Sequence, residues 1–334
     1  MKASFQPYSL IFKQPSGTSR GVLHTKETFI LTIEKGNKIG IGECALFRGL
    51  SYDDVPGYKE KMQWLCDNIN EDFGLLKSEL LHFPSILFGL EQAILNLEQG
   101  SDIYFPSEFT SNQASIRING LIWMGKVDFM KKQIEEKLSN GFSCIKLKIG
   151  INWVEEKKIL QELRKIYLPS ELEIRVDANG GFSPYEITQV LEDLANLEIH
   201  SIEQPIKKGN IEEMSRICKN PPIPIALDEE LIGVLKYEEK MNLLKKINPQ
   251  YIILKPALVG GFASCDEWIS IAENLEIGWW ITSALESNIG LNAIAQYTFS
   301  KNNKMPQGLG TGALFTNNFP TNLLLVEDKL YFKK

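Results

Sequence analysis

Charged side chains recur at nearly constant intervals between residues 148 and 255, each at the end of an apolar segment. Lys148, Asp177, Glu203, Asp228 and Lys255 are separated by 29, 26, 25 and 27 residues. One strand–helix unit of an eight-fold β/α barrel takes about 30 residues, so the interval predicts one of these side chains on each of five successive units. The carboxyl ends of such strands open onto one mouth. The five side chains are therefore expected to meet there.

The three carboxylates of this series predict a site for a divalent cation. Asp177, Glu203 and Asp228 would repel one another in a cleft, because no arginine shares their spacing and unpaired buried charge is costly. Ligand sets made only of oxygen suit Mg²⁺. The histidines, none of which belongs to the series, are His24, His82 and His200. Zinc and non-haem iron are therefore disfavoured.

The lysines predict acid–base chemistry next to that cation. Lys146 and Lys148 flank Leu147, so both ammonium groups project from one face of a strand. Two close cations lower each other's pKa, and burial lowers it further from its ordinary value of about 10.4. Lys255 would approach from the opposite rim. The pattern indicates proton removal beside a carboxylate, with a metal ion stabilising the negative charge that develops.

Each of these residues also has an ordinary structural interpretation. Asp177 and Asp228 would serve as helix N-caps, and Lys146 and Lys148 would suit an exposed strand edge. Lys255 alone would suit a Schiff-base aldolase, although an aldolase does not need the three carboxylates. The shared spacing favours one site over separate explanations.

The apolar segments that carry these residues alternate with amphipathic helices. The expected strands span 115–120, 143–148, 172–177, 198–203, 223–228, 250–255, 278–283 and a short stretch near 307–310. Ser183, followed by Pro184 and Glu186, is the expected N-cap of one of the helices. Eight alternating strands and helices predict an α/β fold with parallel βαβ units, closed as a TIM-type barrel. A doubly wound open sheet competes, but Asn119-Gly120 is not the glycine-rich phosphate turn that it requires.

The two ends of the sequence have a different, α+β character. Gly36-Asn37 separates two alternating segments, which predicts a β-hairpin. Helices are expected over 52–69 and 85–98, with Ser85 as the N-cap of the second. We therefore predict an α+β domain over residues 1–105 and a barrel over residues 106–317. The tail, residues 318–334, is expected to pack back on the first domain.

Composition excludes several classes of protein. The chain has 334 residues, of which 43% are hydrophobic and 23% charged, so intrinsic disorder is excluded. Its net charge of −6, without a basic stripe, argues against nucleic acid as a partner. Neither a signal peptide nor a long apolar run is found, so we expect no membrane insertion and a cytoplasmic location. The five cysteines form no CxxC pair and are expected to be reduced. Oligomeric state is not predicted.

Five short motifs, in this order and phase, resemble those of the enolase superfamily, in its muconate-lactonizing subgroup. They are Lys146-Leu147-Lys148, Asp177-Ala178-Asn179, Glu203-Gln204-Pro205, Asp228-Glu229 and Lys255-Pro256. Within the subgroup, Thr282 to Ser287 and Gly308 to Thr311 are similar to the strand-seven and strand-eight segments of the o-succinylbenzoate synthase family. Enolase-superfamily sites combine a lysine or histidine base with Mg²⁺. The resemblance implies a (β/α)₇β barrel with an N-terminal capping domain.

The resemblance also implies a reaction and roles for the residues. The family dehydrates 2-succinyl-6-hydroxy-2,4-cyclohexadiene-1-carboxylate to o-succinylbenzoate in menaquinone synthesis, so a small carboxylate substrate and a lyase activity are implied. The implied cofactor is Mg²⁺, with Mn²⁺ as a substitute, on Asp177, Glu203 and Asp228. Lys148 would remove and return the proton, Lys146 would hold the carboxylate and tune Lys148, and Lys255 would stabilise the enediolate or lie against the ring. The remaining expected residues are Ser19, Arg20, Phe47, Asn179, Ser283, Glu286 and Ser287 at the substrate, and Glu229 behind Lys255.

Two loops of the capping domain are expected to close the site, residues 17–21 and 46–50. Arg20 or Arg48 could meet the succinyl carboxylate. An isomerase on the same scaffold, such as an N-acylamino acid racemase that uses Lys148 and Lys255 as opposed bases, is the alternative function. Dipeptide epimerases carry an Asp-x-Asp that Gly308-Leu309-Gly310 lacks. A non-catalytic metal-binding barrel is the alternative from another class of protein.

Overall fold

The computed structural model describes residues 1–18 and 21–333. It begins with an antiparallel sheet of three strands, β1 (Lys2–Thr18), β2 (Gly21–Lys35) and β3 (Lys38–Cys44). Pairing of Lys35 with Lys38 forms the predicted hairpin. Apolar side chains alternate along β2, as a strand with one buried face requires. The 17-residue strand β1 was not predicted.

Three helices cover one face of this sheet: α1 (Tyr58–Asp67), α2 (Phe73–Glu79) and α3 (Pro84–Gln99). The first begins six residues later than predicted, after Pro56 and Gly57, because the residue before a proline disfavours helical geometry. The prediction that Ser85 caps α3 is wrong. Phe83 is the N-cap, and the backbone N–H and hydroxyl of Ser85 both donate to Asp53.

Helix α3 lies unusually close to β3. A Cβ atom built on Gly42 would come within 2.0 Å of the carbonyl oxygen of Gly89, so no larger residue fits at this crossing. The contact fixes the α+β unit, here called the capping domain, as one packed layer of helix on sheet.

The second unit is a curled parallel sheet of seven strands. In spatial order the sheet runs from the last strand to the first, with each strand hydrogen-bonded to its sequence neighbour. The strands are β5 (Gly120–Ile122), β6 (Cys144–Lys148), β7 (Glu173–Asp177), β8 (Ser201–Glu203), β9 (Ile225–Leu227), β10 (Tyr251–Leu254) and β11 (Gly278–Ile281). The predicted α/β barrel is confirmed.

Helices follow these strands around the outside of the barrel. They are α4 (Val127–Ser139), α5 (Trp153–Ile166), α6 (Ile187–Asn196), α7 (Ile211–Cys218), α8 (Tyr237–Ile247), α9 (Pro256–Val259), α10 (Gly261–Asn274) and α11 (Asn288–Ser300). A short 3₁₀ turn, Glu229–Leu231, follows β9. Ser183 and Glu186 bond to each other as a capping box would, but α6 starts at Ile187, so Ser183 is not its N-cap.

The barrel closes through two single bridges in place of an eighth strand. Gln307 bridges to Ile118, just before β5, and Gly308 bridges to Thr282, just after β11. A Cβ atom on Gly308 would lie 1.4 Å from the hydroxyl of Thr282. The predicted strand near 307–310 is therefore reduced to these bridges, and a glycine is required where the two ends of the sheet approach.

The predicted strand over 115–120 divides in two because the chain changes partners there. β4 (Ile116–Arg117) pairs with the tail, whose hairpin consists of β12 (Leu323–Val326) and β13 (Lys329–Phe332). The barrel strand itself starts at Gly120, and Ile118 contributes only the single bridge to Gln307. The hairpin of the tail thus pairs with β4 and not with the capping domain, contrary to expectation. Residues just before the hairpin do contact that domain, since the rings of Phe319 and Tyr8 lie 4.7 Å apart.

Two further expectations concern thiols and membranes. All five cysteines are free and buried, in agreement with the prediction that they are reduced. Among the described helices, none combines the length and apolar character needed to cross a bilayer.

Glu91 on α3 ties the capping domain to the barrel, and it should make stability pH-dependent. Its carboxylate accepts from the backbone N–H groups of Phe262 and Ala263 at the start of α10. Burial raises the pKa of Glu91 from 4.5 to about 7. Because the folded state then holds the proton more tightly, the contribution is full below pH 4.5 and is lost as the pH rises through 7.

Glu91→Gln should remove that loss. Between pH 4.5 and 7, wild-type protein is expected to lose roughly 3 kcal/mol more unfolding free energy than the variant. Urea unfolding at several pH values measures the difference. Glu98→Gln, on the exposed side of the same helix, is the control and should follow wild type. Parallel curves for wild type and Glu91→Gln would contradict the assignment.

Candidate active site

The predicted series meets at one mouth of the barrel. Lys148 pairs in register with Asp177, and Asp177 pairs with Glu203 on the next strand. Asp228 and Lys255 directly follow β9 and β10. Each carboxylate is 1–2% exposed. Side chains at the same level of neighbouring parallel strands point to the same face, which explains how residues more than 100 positions apart come together.

Three lysines bind the three carboxylates. Lys146 Nζ donates to Glu203 Oε2 at 2.6 Å and lies 3.8 Å from Asp177 Oδ2. Lys148 Nζ donates to Asp177 Oδ2 at 2.9 Å. Lys255 Nζ donates to Asp228 and lies 3.7 Å from Glu203 Oε1. The site is therefore a closed network in which each carboxylate has at least one ammonium partner.

This network changes the pKa values in a direction that was not predicted for the lysines. Burial alone would lower the pKa of Lys146, but the Glu203 and Asp177 carboxylates outweigh it and raise the pKa. The pKa of Lys255 is likewise raised, because Asp228 and Glu203 outweigh its burial. The expected net lowering is wrong for Lys146, since Glu203 and Asp177 also outweigh the lowering of its pKa by the Lys255 ammonium group.

The carboxylates respond to the same charges. Burial would raise the pKa of Asp177, but Lys148 and Lys146 hold it well below the usual range. Burial and the neighbouring Glu229 and Glu203 carboxylates raise the pKa of Asp228 well above its usual range, although Lys255 acts in the opposite direction. Negative charge is thus incompletely compensated on the Asp228 side of the site.

The donor set fits a hard divalent cation. Among residues 1–18 and 21–333, no group of three acidic, histidine or cysteine side chains is arranged as a formed metal site, because each carboxylate is drawn to a lysine. Glu203 Oε1, however, is buried and has no hydrogen-bond partner among those residues. Together with the crowding around Asp228, this oxygen is the kind of atom that a Mg²⁺ ion would satisfy. The metal role of the trio stays a prediction.

Asn179 connects Lys148, the predicted base, to Glu229, which was expected to support Lys255. Its Oδ1 accepts from Lys148 Nζ at 2.7 Å, and its Nδ2 donates to Glu229 Oε1 at 3.0 Å. Its backbone is left-handed, with φ 43°, and its N–H donates to Asp177 Oδ1. Glu229, predicted to support Lys255, therefore also fixes the orientation of the amide that holds Lys148.

Lys146, Lys148, Lys255 and Asp177 line a pocket of about 670 Å³, a size suited to a small ligand. Glu203 and Asp228 are not among its lining residues. Its remaining walls are mostly apolar or small. They comprise Phe47, Leu50, Asn119, Leu121, Trp123, Thr282, Ser283, Ala284, Leu285, Gly308, Gly310 and Thr311. Most of these were not predicted, because an apolar side chain on a wall has the same sequence signal as one in the core.

The capping-domain loops are placed only in part. Phe47 lines the pocket as predicted. Arg48 does not extend into it, because its guanidinium is bound by Glu27 and Asp54. The predicted contacts of Ser19 and Arg20 lie outside the described residues.

The segment after β11 divides between the pocket and the region behind it. Ser283 lines the pocket, and its hydroxyl bonds with that of Thr311 at 2.6 Å. Glu286 and Ser287 do not line the pocket, contrary to expectation. Glu286 Oε2 accepts from the N–H of Ala284, and Ser287 is the N-cap of α11. These contacts hold both side chains outside the lining of the pocket.

An arginine closes the barrel beneath the site. Arg175, two residues before Asp177, is 1% exposed and lies 4.3 Å from the centre of the Trp280 ring. It is paired with Glu173 and donates to the carbonyl of Pro306. Because this arginine is engaged at the floor, it does not neutralise the carboxylates at the mouth.

Known proteins resemble this chain over nearly its whole length. Residues 129–330 match the family model described as enolase C-terminal domain-like. A curated o-succinylbenzoate synthase from Desulfotalea psychrophila is 44% identical over 97% of this chain and 96% of its own.

Solved structures share the architecture. The crystal structure of MenC from Desulfotalea psychrophila LSv54 superposes with a TM-score of 0.89 at 39% identity, covering 99% of both chains. A substrate-liganded L-Ala-D/L-Glu epimerase from Bacillus subtilis superposes with a TM-score of 0.84 over 99% of this chain and 96% of its own. At 18% identity this second likeness concerns the fold alone.

Proposed function

Because this chain belongs to the o-succinylbenzoate synthase family of the enolase superfamily, we propose that it dehydrates 2-succinyl-6-hydroxy-2,4-cyclohexadiene-1-carboxylate to o-succinylbenzoate, a step of menaquinone synthesis. The observation that carries the proposal is the pocket itself. Lys148 and Lys255 line the same small cavity beside buried carboxylates, so a carboxylate substrate held there has an ammonium or amine group on each side.

Lys148 is proposed as the group that moves the proton. Its Nζ, released from Asp177 and Asn179 and neutral, takes the proton on the carbon next to the substrate carboxylate. The electron pair of that C–H bond forms the new ring double bond as the C–O bond at the neighbouring carbon breaks. The same Nζ returns the proton to the departing hydroxyl, which leaves as water. One residue thus acts as base and then as acid.

The other two lysines are proposed to manage charge. Lys146, held by Glu203, would keep positive charge near the substrate carboxylate and disfavour a second charge on Lys148. Lys255 would stabilise the negative charge that develops as the proton is removed. Asn179, fixed by Glu229, would orient Lys148 through its amide oxygen.

Asp177, Glu203 and Asp228 are proposed to hold Mg²⁺, for which Mn²⁺ could substitute because it also accepts oxygen ligands. When bound, the ion supplies positive charge that stabilises negative charge developing on the substrate carboxylate. The lysines that now bind these carboxylates would turn toward the substrate.

A racemase activity on N-acylated amino acids is the second candidate. Lys148 and Lys255 line one pocket from β6 and from the end of β10, with three strands between them. This separation would allow one lysine to remove a proton and the other to return it on the opposite face. The free, buried state of all five cysteines agrees with a reducing, cytoplasmic setting for either reaction.

Purified protein incubated with the cyclohexadiene substrate and Mg²⁺ tests the proposal. We expect the ultraviolet absorbance of the substrate to fall as the aromatic product forms, and EDTA to stop the reaction. Absence of product, together with racemisation of N-succinyl amino acids measured by circular dichroism, would exclude the synthase in favour of the second candidate.

A further inference from the structure

A buried polar cluster joins the capping domain to the barrel behind the active site. Strand β2 contributes Lys26 and Thr28, and β3 contributes Glu43. The barrel contributes Glu286 and Ser287, which follow β11. All five are at most 5% exposed, so the cluster is as dry as the hydrophobic core around it.

Glu43 is the anchor of this cluster. Its Oε1 accepts from the hydroxyl of Thr28 at 2.8 Å and the N–H of Ser287 at 2.9 Å. Its Oε2 accepts from the hydroxyl of Ser287 at 2.6 Å and the N–H of Gly290 at 3.0 Å. A carboxylate at the N-terminus of an α-helix is favourably placed, so Glu43 fixes the capping sheet against α11.

Lys26 and Glu286 are the two members with a charged group that hydrogen bonds satisfy only in part or not at all. Lys26 Nζ and Glu286 Oε1 are buried, and neither has a hydrogen-bond partner among the described residues. Burial lowers the pKa of Lys26, which Glu43 and Glu286 counteract, and it raises the pKa of Glu286 to about 7. A buried charge that lacks hydrogen-bond partners is costly, so stability alone does not account for this pair.

Each of these two side chains acts on a wall of the pocket. Glu286 Oε2 accepts from the N–H of Ala284 at 2.7 Å, and Ala284 and Leu285 line the pocket. Leu285 has a left-handed backbone, with φ 64°, a conformation that needs support from its surroundings. Lys26 Nζ lies 6.0 Å from the centre of the Phe47 ring, and Phe47 also lines the pocket, in one apolar cluster with Ala284 and Leu285.

We propose that Lys26 is a positioning residue for the substrate: its ammonium group, behind both the 283–285 segment and the Phe47 ring, holds the two walls in register. The inference rests on the proposed function, because it assigns specificity for the same substrate. Lys26 is absent from the lining of the pocket. It therefore acts through Glu286 and Phe47, on how the substrate fits and not on the proton transfer.

Three variants separate an effect on substrate positioning, seen in KM, from an effect of buried charge on stability, seen in the melting temperature. They are Lys26→Met, Glu286→Gln and the double variant. Each single substitution is expected to raise KM about 10- to 100-fold by shifting a wall, with kcat within threefold of wild type. The double variant removes both charges, so its melting temperature should recover relative to Lys26→Met while its KM stays high. Lys35→Met, at the exposed end of the same strand, is the control and should leave KM unchanged.

Two results would overturn the inference. One is a KM within twofold of wild type in Lys26→Met, and the other is a double variant that recovers KM together with melting temperature. If Lys26→Met does not fold, Glu286→Gln tests the same wall of the pocket with an isosteric side chain. Lys26→Arg keeps the positive charge and should have a KM close to that of wild type. Wild-type protein that shows no turnover would instead count against the proposed function. The affinity of wild type and of Lys26→Met for o-succinylbenzoate, compared by calorimetry, would then test the positioning role by itself.

Discussion

Lys148→Ala is expected to lower kcat by about 10⁴-fold, the upper end of the range for a general acid or base. The effect should be large because one side chain is proposed both to accept the proton and to return it, so no second group can complete either half of the reaction. KM should change little, since the carboxylate end of the substrate keeps its other partners. The conversion of the cyclohexadiene to the aromatic product, followed by absorbance, measures the loss.

The structure offers a clear control for this variant. The side chain of Lys158 on α5 is 60% exposed and pairs with Glu155 one helical turn away, so Lys158→Ala should retain full turnover. Removing Lys148 also leaves Asp177 with the more distant Lys146. Melting temperature should therefore be measured alongside, and turnover above a tenth of the wild-type rate in a folded Lys148→Ala protein would rule out the proposed base.

Glu203→Gln is expected to abolish stabilisation by Mg²⁺ and to lower kcat by at least about 10³-fold, because a metal ion contributes several kcal/mol of charge stabilisation. Glu203 is the middle carboxylate of the three, and its Oε1 is the buried oxygen without a hydrogen bond. Wild-type protein should melt at a higher temperature as Mg²⁺ is added, because a ligand that binds only the folded state stabilises it. The variant should not respond.

Glu173→Gln is the matched control, since Glu173 lies on the neighbouring strand β7 at the opposite end of the barrel. Loss of its charge affects Arg175 and not the mouth, so this variant can be less stable and yet retain its response to Mg²⁺. A Mg²⁺-dependent melting temperature in Glu203→Gln equal to that of wild type would place the ion elsewhere.

The barrel and its charged series were predictable because both depend on spacing. A parallel barrel repeats one unit, so Asp177, Glu203 and Asp228 occupy equivalent positions on adjacent strands whatever the details of the helices between them. The positions of Lys148 and Lys255 were predictable from the same spacing. Where the chain repeats, position along the sequence is enough to give position in space.

The features that were missed depend on contacts between distant segments. The division of residues 115–120 into two strands arises because Asp328 and Gln307 accept from Ile118 and Asn119 in turn. Glu286 was expected at the substrate, but its partner is the backbone two residues away, and the cation nearby comes from Lys26 on another domain. Such choices are set by burial and by hydrogen-bond geometry, neither of which has a local sequence signal.

The pairing at the two ends of the molecule has a consequence for the order in which the nascent polypeptide can assemble. The free edge of strand β1 is bridged by Phe315, which pairs with Phe12. The barrel closes only through the bridges of Gln307 and Gly308. While the ribosome is still adding those residues, an unprotected strand edge and an open half-barrel must coexist, and exposed edges invite association between chains. Synthesis speed and chaperone supply should therefore govern the yield of this protein more strongly than they do for proteins whose early segments are self-contained.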